Sequence, residues 1–344
     1  MKRKKFYTSL ALVSFSISLS SAVFSCTRLL HVDPNQGIMV GRNMDWFEEM
    51  QTKLVVYPRG ITRSGSADTN PLKWVSQYGS IVATSYDLGT ADGMNEKGLA
   101  VHGLWLDSTD YGQRNENIPG LSLMVSAFYY LDNFKTVDEA VHATQSGTFQ
   151  MLPFYHPGTG KWIKVHWALE DASGDSAIIE YTDGQPKIYH SNNYTVLTND
   201  PTYDLQLENL KQYRGFGGNK PIPGTNEASD RFVRAAYHGN HLPAFSSTNE
   251  AVAGILSVMQ NVGAPFTLFR LDPTKIHRTI WRTIADLTHH VYYFNSTSNF
   301  TVVYAQLDKF SLQPGSPVMK LDLVKHPKLS GDMTDKFENA SGKQ

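Results

Sequence analysis

Ser25-Cys26-Thr27-Arg28-Leu29-Leu30-His31-Val32 and, after a short gap, Ile38-Met39-Val40-Gly41-Arg42-Asn43-Met44-Asp45-Trp46 form the stretch from which the rest of the chain is read. The gap is Asp33-Pro34-Asn35-Gln36-Gly37, a cluster of turn-forming residues. The pattern predicts two strands, Thr27 to Val32 and Ile38 to Met44, joined as a hairpin. With the turn centred near Asn35, opposing residue numbers sum to about 70, and Cys26 lies across from Met44. Arg42 and Asp45 then fold back beside the cysteine. On spacing alone, a surface ion pair between Arg42 and Asp45 is the competing reading.

Upstream of Cys26 the chain has the three parts of a secretory signal. Lys2-Arg3-Lys4-Lys5 is basic, Leu10 to Leu19 is apolar and Ser-rich, and Val23-Phe24-Ser25 places small residues at −3 and −1. Residues 1–25 are expected to be removed, leaving Cys26 as the first residue of an exported, periplasmic protein. The apolar run is too short and too rich in serine for a stable anchor. No later run suggests stable membrane insertion. Cys26 is the chain's one cysteine, so no internal disulfide can form. An exported protein ordinarily pairs its cysteines, and an unpaired one is a candidate reactive thiol. Three readings compete for it: a buried thiol, a lipid-bearing cysteine in a non-enzymatic lipoprotein (Val-Phe-Ser-Cys loosely resembles a lipobox), and an N-terminal nucleophile.

The 344 residues are 41% apolar, enough for a sizeable core and against disorder. The net charge of −1 includes the four cations of the signal. Without them 27 basic residues face 32 acidic ones, about −5. There is no basic stripe, which excludes a nucleic-acid partner. Strand-like runs continue to Leu106, interrupted by a turn over Asp92 to Gly98, and are followed by an apolar helix from Leu121 to Leu131. A second helix opens at the capping box Thr136-Val137-Asp138-Glu139. More strands run to Thr198, then helices begin at Tyr203, Ser229 and Asn249, and strands return from Thr279 to Leu323. Strands and helices come in blocks without a βαβ rhythm, which predicts an α+β protein of layered antiparallel sheets with helices outside. The length prior suggests two domains, although large single domains reach this size; residues 26–344 are expected to be one domain ending in a polar, loosely held tail after Lys328.

A cysteine freed by cleavage carries a thiol and an α-amine on the same residue, with ordinary pKa values close enough for proton transfer between them. This is the activation logic of an N-terminal threonine working with its own amine. Arg42 would favour the thiolate, and Asp45 could accept from the amine or orient Arg42. Asn199, at a strand end, could donate to the oxyanion of an amide intermediate. The twelve histidines fall in no defensible catalytic motif. His289 and His290 sit in a strand pattern, where the rings face opposite ways and suit a shared metal poorly. No zinc, EF-hand, Walker or dinucleotide signature is present, so no metal and no cofactor are expected.

Cys26-Thr27-Arg28, Gly41 to Trp46, Asp92-Gly93-Met94-Asn95-Glu96-Lys97-Gly98-Leu99, Leu197-Thr198-Asn199-Asp200-Pro201 and Ser229-Asp230-Arg231-Phe232-Val233-Arg234 together resemble the choloylglycine hydrolase family, which contains penicillin V acylases and bile salt hydrolases. The matches run in order along essentially the whole mature chain. The resemblance implies an N-terminal nucleophile hydrolase with an αββα sandwich, cleaving linear amide bonds of small molecules. It implies Cys26 as nucleophile and, through its amine, as base. Arg42 and Asp45 become the charged pair beside it, Asn199 an oxyanion donor, and Arg231 a second active-site arginine. The backbone N–H of Trp105 becomes the other oxyanion donor. A tryptophan at 105 and the loop Asp107 to Pro119 resemble the Gram-negative branch, with penicillin V and long-chain N-acyl homoserine lactones as expected substrates and conjugated bile salts as the alternative. Trp46 is a candidate second wall of the pocket; for both tryptophans, core packing is the bland alternative. The family also implies a homo-oligomer, a tetramer.

Overall fold

The hairpin forms in the expected register. β1 (Thr27–Asp33) and β2 (Gly37–Trp46) are antiparallel, with Arg28 opposite Arg42 and Leu30 opposite Val40. The turn closes because the Asp33 carboxylate accepts the N–H groups of Asn35 and Gln36 at 2.8 and 2.9 Å, an Asx turn. Gly37 leaves the turn at φ +84°, a conformation that suits glycine. The computed structural model describes residues 26–157, 160–269, 272–323, 325–326 and 328–340, without the side chains of 269 and 272–276. The expected signal over 1–25 lies outside the described residues.

The hairpin sits inside an eight-stranded sheet. In order the strands are Val196–Thr198, β1, β2, Asp272–Asp286, Val291–Ser296, Val303–Gln306 and Gly331–Asp332, with Thr267–Phe269 paired to Asp272–Asp286. A nine-stranded sheet runs Gln185–His190, Ser176–Thr182, Val165–Glu170, Ala100–Trp105, Gly89–Asn95, Ser80–Ser85, Leu54–Tyr57, Met319–Leu321 and Glu338–Asn339. Alternation along its strands assigns the two faces. Ile81, Ala83, Ala100, Ala168 and Ile178 join the core shared with the other sheet. Val82, Val101, Trp167, Leu169 and Ile179 join a second core under α1 (Leu123–Asn133) and α2 (Val137–Gln145). On the far side of the eight-stranded sheet, α4 (Ala228–Gly239) packs on β1 and α5 (Thr248–Asn261) on β2, with α3 (Tyr203–Leu210) against α4. The layers are helix, sheet, sheet, helix, as expected. No described helix is long and apolar enough to cross a membrane.

Local differences have local causes. Thr136 caps α2 by accepting from Glu139 N–H at 3.2 Å, but the Glu139 carboxylate reaches Lys135 N–H rather than closing the box. Ser229 does not cap α4, which starts one residue earlier with Glu227 at the cap position, and α5 is capped by Ser247 rather than opened by Asn249. His289 and His290 lie in a turn, not a strand; they pair with Asp286 and Asp308 respectively. Asp92 to Asn95, read as part of a turn, end a strand. As far as Ala340 the polar tail is not loose. Gly331–Asp332 pairs with Val303–Gln306, Glu338–Asn339 pairs with Met319–Leu321, and Met333 and Phe337 are buried. Two apolar side chains are enough to fasten a segment whose composition reads as solvent-facing.

Candidate active site

Cys26 immediately precedes β1, at the inner surface of the eight-stranded sheet, and is only 4% exposed. Its Sγ lies 3.9 Å from the Met44 sulfur and 3.8 Å from Arg42 Nη2. The same Nη2 donates to the Gly103 carbonyl at 2.8 Å, which holds the guanidinium against the thiol. Burial pushes the Cys26 thiol above its ordinary pKa; Arg42, Arg231 and the Asp45 backbone N–H oppose the rise, and the Asp45 carboxylate adds to it. A shift in that direction favours the thiol over the thiolate, so a nearby base would assist its use as a nucleophile.

Arg42 and Asp45 are both fully buried, so the surface ion-pair reading fails, and they do not pair with each other. Asp45 accepts from Arg231 on α4, Nη2 at 2.7 Å, and from the Thr279 hydroxyl. Arg42 Nε faces Asp92 at 3.5 Å, and the ring of Trp281 lies 4.8 Å from the guanidinium carbon. Thr279 reaches Asp45 at an irregularity in the ladder. Thr279 pairs with Asp45 and Trp281 with Met44, leaving Ile280 as an extra residue. Such a bulge re-aims a side chain next to a site.

Asn199 is brought in by the neighbouring strand. Thr198 pairs with Thr27, and continuing that antiparallel register sets buried Asn199 opposite Cys26. Its backbone carbonyl is held by Gln206 Nε2 at 3.2 Å. Trp105 ends the Ala100–Trp105 strand opposite Val165. Leu106 N–H donates to the Lys164 carbonyl, so alternation along an antiparallel pair turns Trp105 N–H the other way. On that side, pairing with the Gly89–Asn95 strand has stopped at His102. The Trp105 indole N–H donates to Asp107 at 2.6 Å. Trp46 ends β2, stacks on Phe47, and lies 6.4 Å from Trp105 between ring centres.

Cys26, Arg42, Asp45, Trp46 and Trp105 border one cleft with about 850 Å³ of empty volume, part of it open to solvent. Cys26, Arg42 and Asp45 lie at its polar end, and Trp46, Trp105, Met50, Leu123, Met124 and Phe154 are among the apolar side chains that line the rest. Apolar walls with a few convergent polar groups are what a small-molecule site requires. One polar thread crosses the wall: Trp46 Nε1 donates to the Tyr86 hydroxyl at 2.7 Å, which donates to Glu48 at 2.6 Å. Tyr86 stands at a left-handed φ of 55°, so its backbone is held in a conformation seldom taken by a bulky residue. Among the described residues, no group of three or more His, Cys, Asp or Glu side chains is arranged to hold a metal.

Five of the predicted residues thus converge: Cys26, Arg42, Asp45, Arg231 and Asn199 share one buried neighbourhood, and the two tryptophans line the adjoining cleft. Sequence reasoning missed Asp92, Gly103, Thr279 and Tyr86. A signal existed for the first. Asp92 and His102 flank the Gly98 turn in opposed register, but Asp92 had been assigned to the turn itself.

Residues 26–320 match the profile of the linear amide C-N hydrolases, choloylglycine hydrolase family. The chain belongs to that family. Like the penicillin V acylase and bile salt hydrolase folds it resembles, this choloylglycine hydrolase family chain has the N-terminal nucleophile hydrolase fold. It is 37% identical over 340 residues to a penicillin V acylase of Pectobacterium atrosepticum, covering 91% of this chain and 89% of that one. The solved penicillin V acylase of Agrobacterium tumefaciens superposes with a TM-score of 0.83 at 40% identity, covering 92% and 98% of the two chains. A bile salt hydrolase/transferase of Clostridium perfringens is 25% identical over 320 residues, 83% and 94% of the chains. Membership makes the protein a hydrolase of carbon–nitrogen bonds in linear amides.

Proposed function

We propose that the chain is an exported cysteine amidase whose nucleophile is Cys26, and that its substrates are penicillin V, long-chain N-acyl homoserine lactones, or both. Removal of residues 1–25 in the periplasm frees the Cys26 amine and leaves residues 26–344 as one catalytic unit. The amine takes the thiol proton, and Sγ attacks the amide carbon as the carbonyl oxygen becomes an oxyanion. Asn199 and the Trp105 N–H donate to that oxyanion. Collapse breaks the C–N bond, the α-ammonium returns its proton to the leaving amine, and a Cys26 thioester remains. Water adds to the thioester and gives a proton to the amine. A second collapse expels the thiolate, which recovers that proton as the carboxylic acid leaves.

Two features support the chemistry: a buried thiol whose pKa burial raises, so that a neighbouring base has a task, and an arginine held against its sulfur. The substrate reading rests on one observation, the apolar and aromatic lining that begins beside Cys26 and includes Trp46 and Trp105. That lining suits a phenoxyacetyl group or an acyl chain, and Asp45 and Arg231 are spent on each other rather than on a substrate anion. Similarity to the two penicillin V acylases points the same way. A homotetramer is proposed on family grounds. The test is turnover of penicillin V, a long-chain acyl homoserine lactone and glycocholate side by side. Turnover of one or both of the first two above the third is expected; preferential cleavage of glycocholate would make the protein a bile salt hydrolase. Intact mass of the purified protein is expected to show an unmodified chain beginning at Cys26, and a diacylglyceryl adduct would make it a lipoprotein instead.

A further inference from the structure

Between the two sheets, five charged side chains stand in a line of which the chemistry above uses one end. Arg42, Asp92, His102, Glu170 and Arg28 are all fully buried. Arg42 Nη2 touches Cys26 Sγ and Arg42 Nε faces Asp92 Oδ2 at 3.5 Å. The same Asp92 oxygen lies 2.8 Å from His102 Nδ1, and His102 Nε2 lies 3.2 Å from Glu170 Oε2. Glu170 pairs in turn with Arg28 Nε. The other Asp92 oxygen accepts from Thr283 and from the Tyr292 hydroxyl.

Both imidazole nitrogens therefore face carboxylates. A neutral ring would turn a lone pair toward one of them, whereas an imidazolium donates to Asp92 and sets a second N–H of a cation beside Glu170. Burial alone would lower the His102 pKa; Asp92 and Glu170 outweigh it and lift it to about 9. The charged and titratable groups that face this ring or its partners are Asp92 and Tyr292, Glu170, Arg28 from β1 and Arg42 from β2. Burial and Asp92 keep the Tyr292 phenol neutral. With His102 protonated, three cations meet two anions, and one positive charge is left over at the Cys26 end. With His102 neutral the line is balanced, and Asp92 keeps Arg42 as its sole nearby cation.

We propose that His102 is a positioning residue: as an imidazolium it engages Asp92 and so leaves the Arg42 charge available to the Cys26 thiolate. The assignment rests on Cys26 as nucleophile, yet it can be read without turnover. Cys26 is the one cysteine in the chain, so iodoacetamide alkylation against pH titrates this thiol alone. The test compares the purified wild type, its N-terminus fixed by intact mass, with His102→Gln, Asp92→Asn and His102→Lys. Removing the cation is expected to raise the apparent thiol pKa by about one unit, and removing the anion to lower it by a similar amount. His102→Lys, which restores a cation, is expected to return the value to within a few tenths of wild type. Opposite shifts are the signature, since a merely structural role would move both variants alike. Shifts of the same sign, or none, in folded proteins would overturn the proposal. Should His102→Gln fail to fold, His102→Lys decides together with Asp92→Asn: a raised or unchanged thiol pKa in Asp92→Asn, or a value in His102→Lys more than a few tenths from wild type, overturns the proposal. Failure of Cys26 as nucleophile would show separately, as turnover surviving Cys26→Ala.

Discussion

The two faces of the nine-stranded sheet are built from alternate residues of the same strands and could hardly differ more. Toward α1 and α2 the face is an apolar core of Val101, Leu169 and Ile179 with Leu131 above them. Toward the other sheet the same strands contribute Asp92, His102 and Glu170, all buried and all charged or paired with charge. Apolar burial stabilises without fixing direction, whereas a buried ion network is costly unless each member is paired. The outer face holds the sheet together and the inner face aims the groups around Cys26. Neighbouring side chains of one strand thus serve different ends.

The sharpest way to break this contrast is on the inner side, at Asn199. Asn199→Ala is expected to lower kcat by about 100- to 1,000-fold, the loss typical of one oxyanion donor, with KM little changed. Steady-state kinetics on penicillin V would check it, and a pure KM effect would move Asn199 out of the oxyanion site. On the outer side Leu131→Ala is expected to cost about 2–5 kcal/mol of stability through the cavity it leaves, with kcat kept. Denaturant unfolding beside kinetics would check that, and a comparable loss of kcat would erase the distinction between the faces. The smallest effect is expected in the pocket wall. Tyr86→Phe removes the hydroxyl that bridges Trp46 and Glu48, worth about 1 kcal/mol, so KM should rise by about fivefold while kcat holds.

The strand pairing at the site was readable because a hairpin is local. Asp33, Pro34, Asn35 and Gly37 define the turn, and the period of two then fixes which residues face Cys26. Asn199 was legible as a polar residue at a strand end and Arg231 only through a family motif, since their spacing carries no sign that one follows the strand beside β1 and the other sits on a helix behind it. What stayed hidden was partnership across layers. Arg42 and Asp45 are close in sequence and opposite in charge, yet each pairs elsewhere, with Asp92 from the opposing sheet and Arg231 from α4. Sequence periodicity reports which way a side chain points but not what waits for it on another sheet. The tail failed for the opposite reason: its polar composition is plain, and two buried residues, Met333 and Phe337, decide its fate.

The central claim is that Cys26 carries the acyl group during turnover. Acid quenching within the first turnovers on penicillin V, followed by mass analysis of peptides, tests it directly. The account predicts a phenoxyacetyl adduct on the peptide that begins with Cys26, absent from Cys26→Ala, which should also show no hydrolysis. Turnover with no adduct at Cys26, or with the acyl group on another residue, would contradict it.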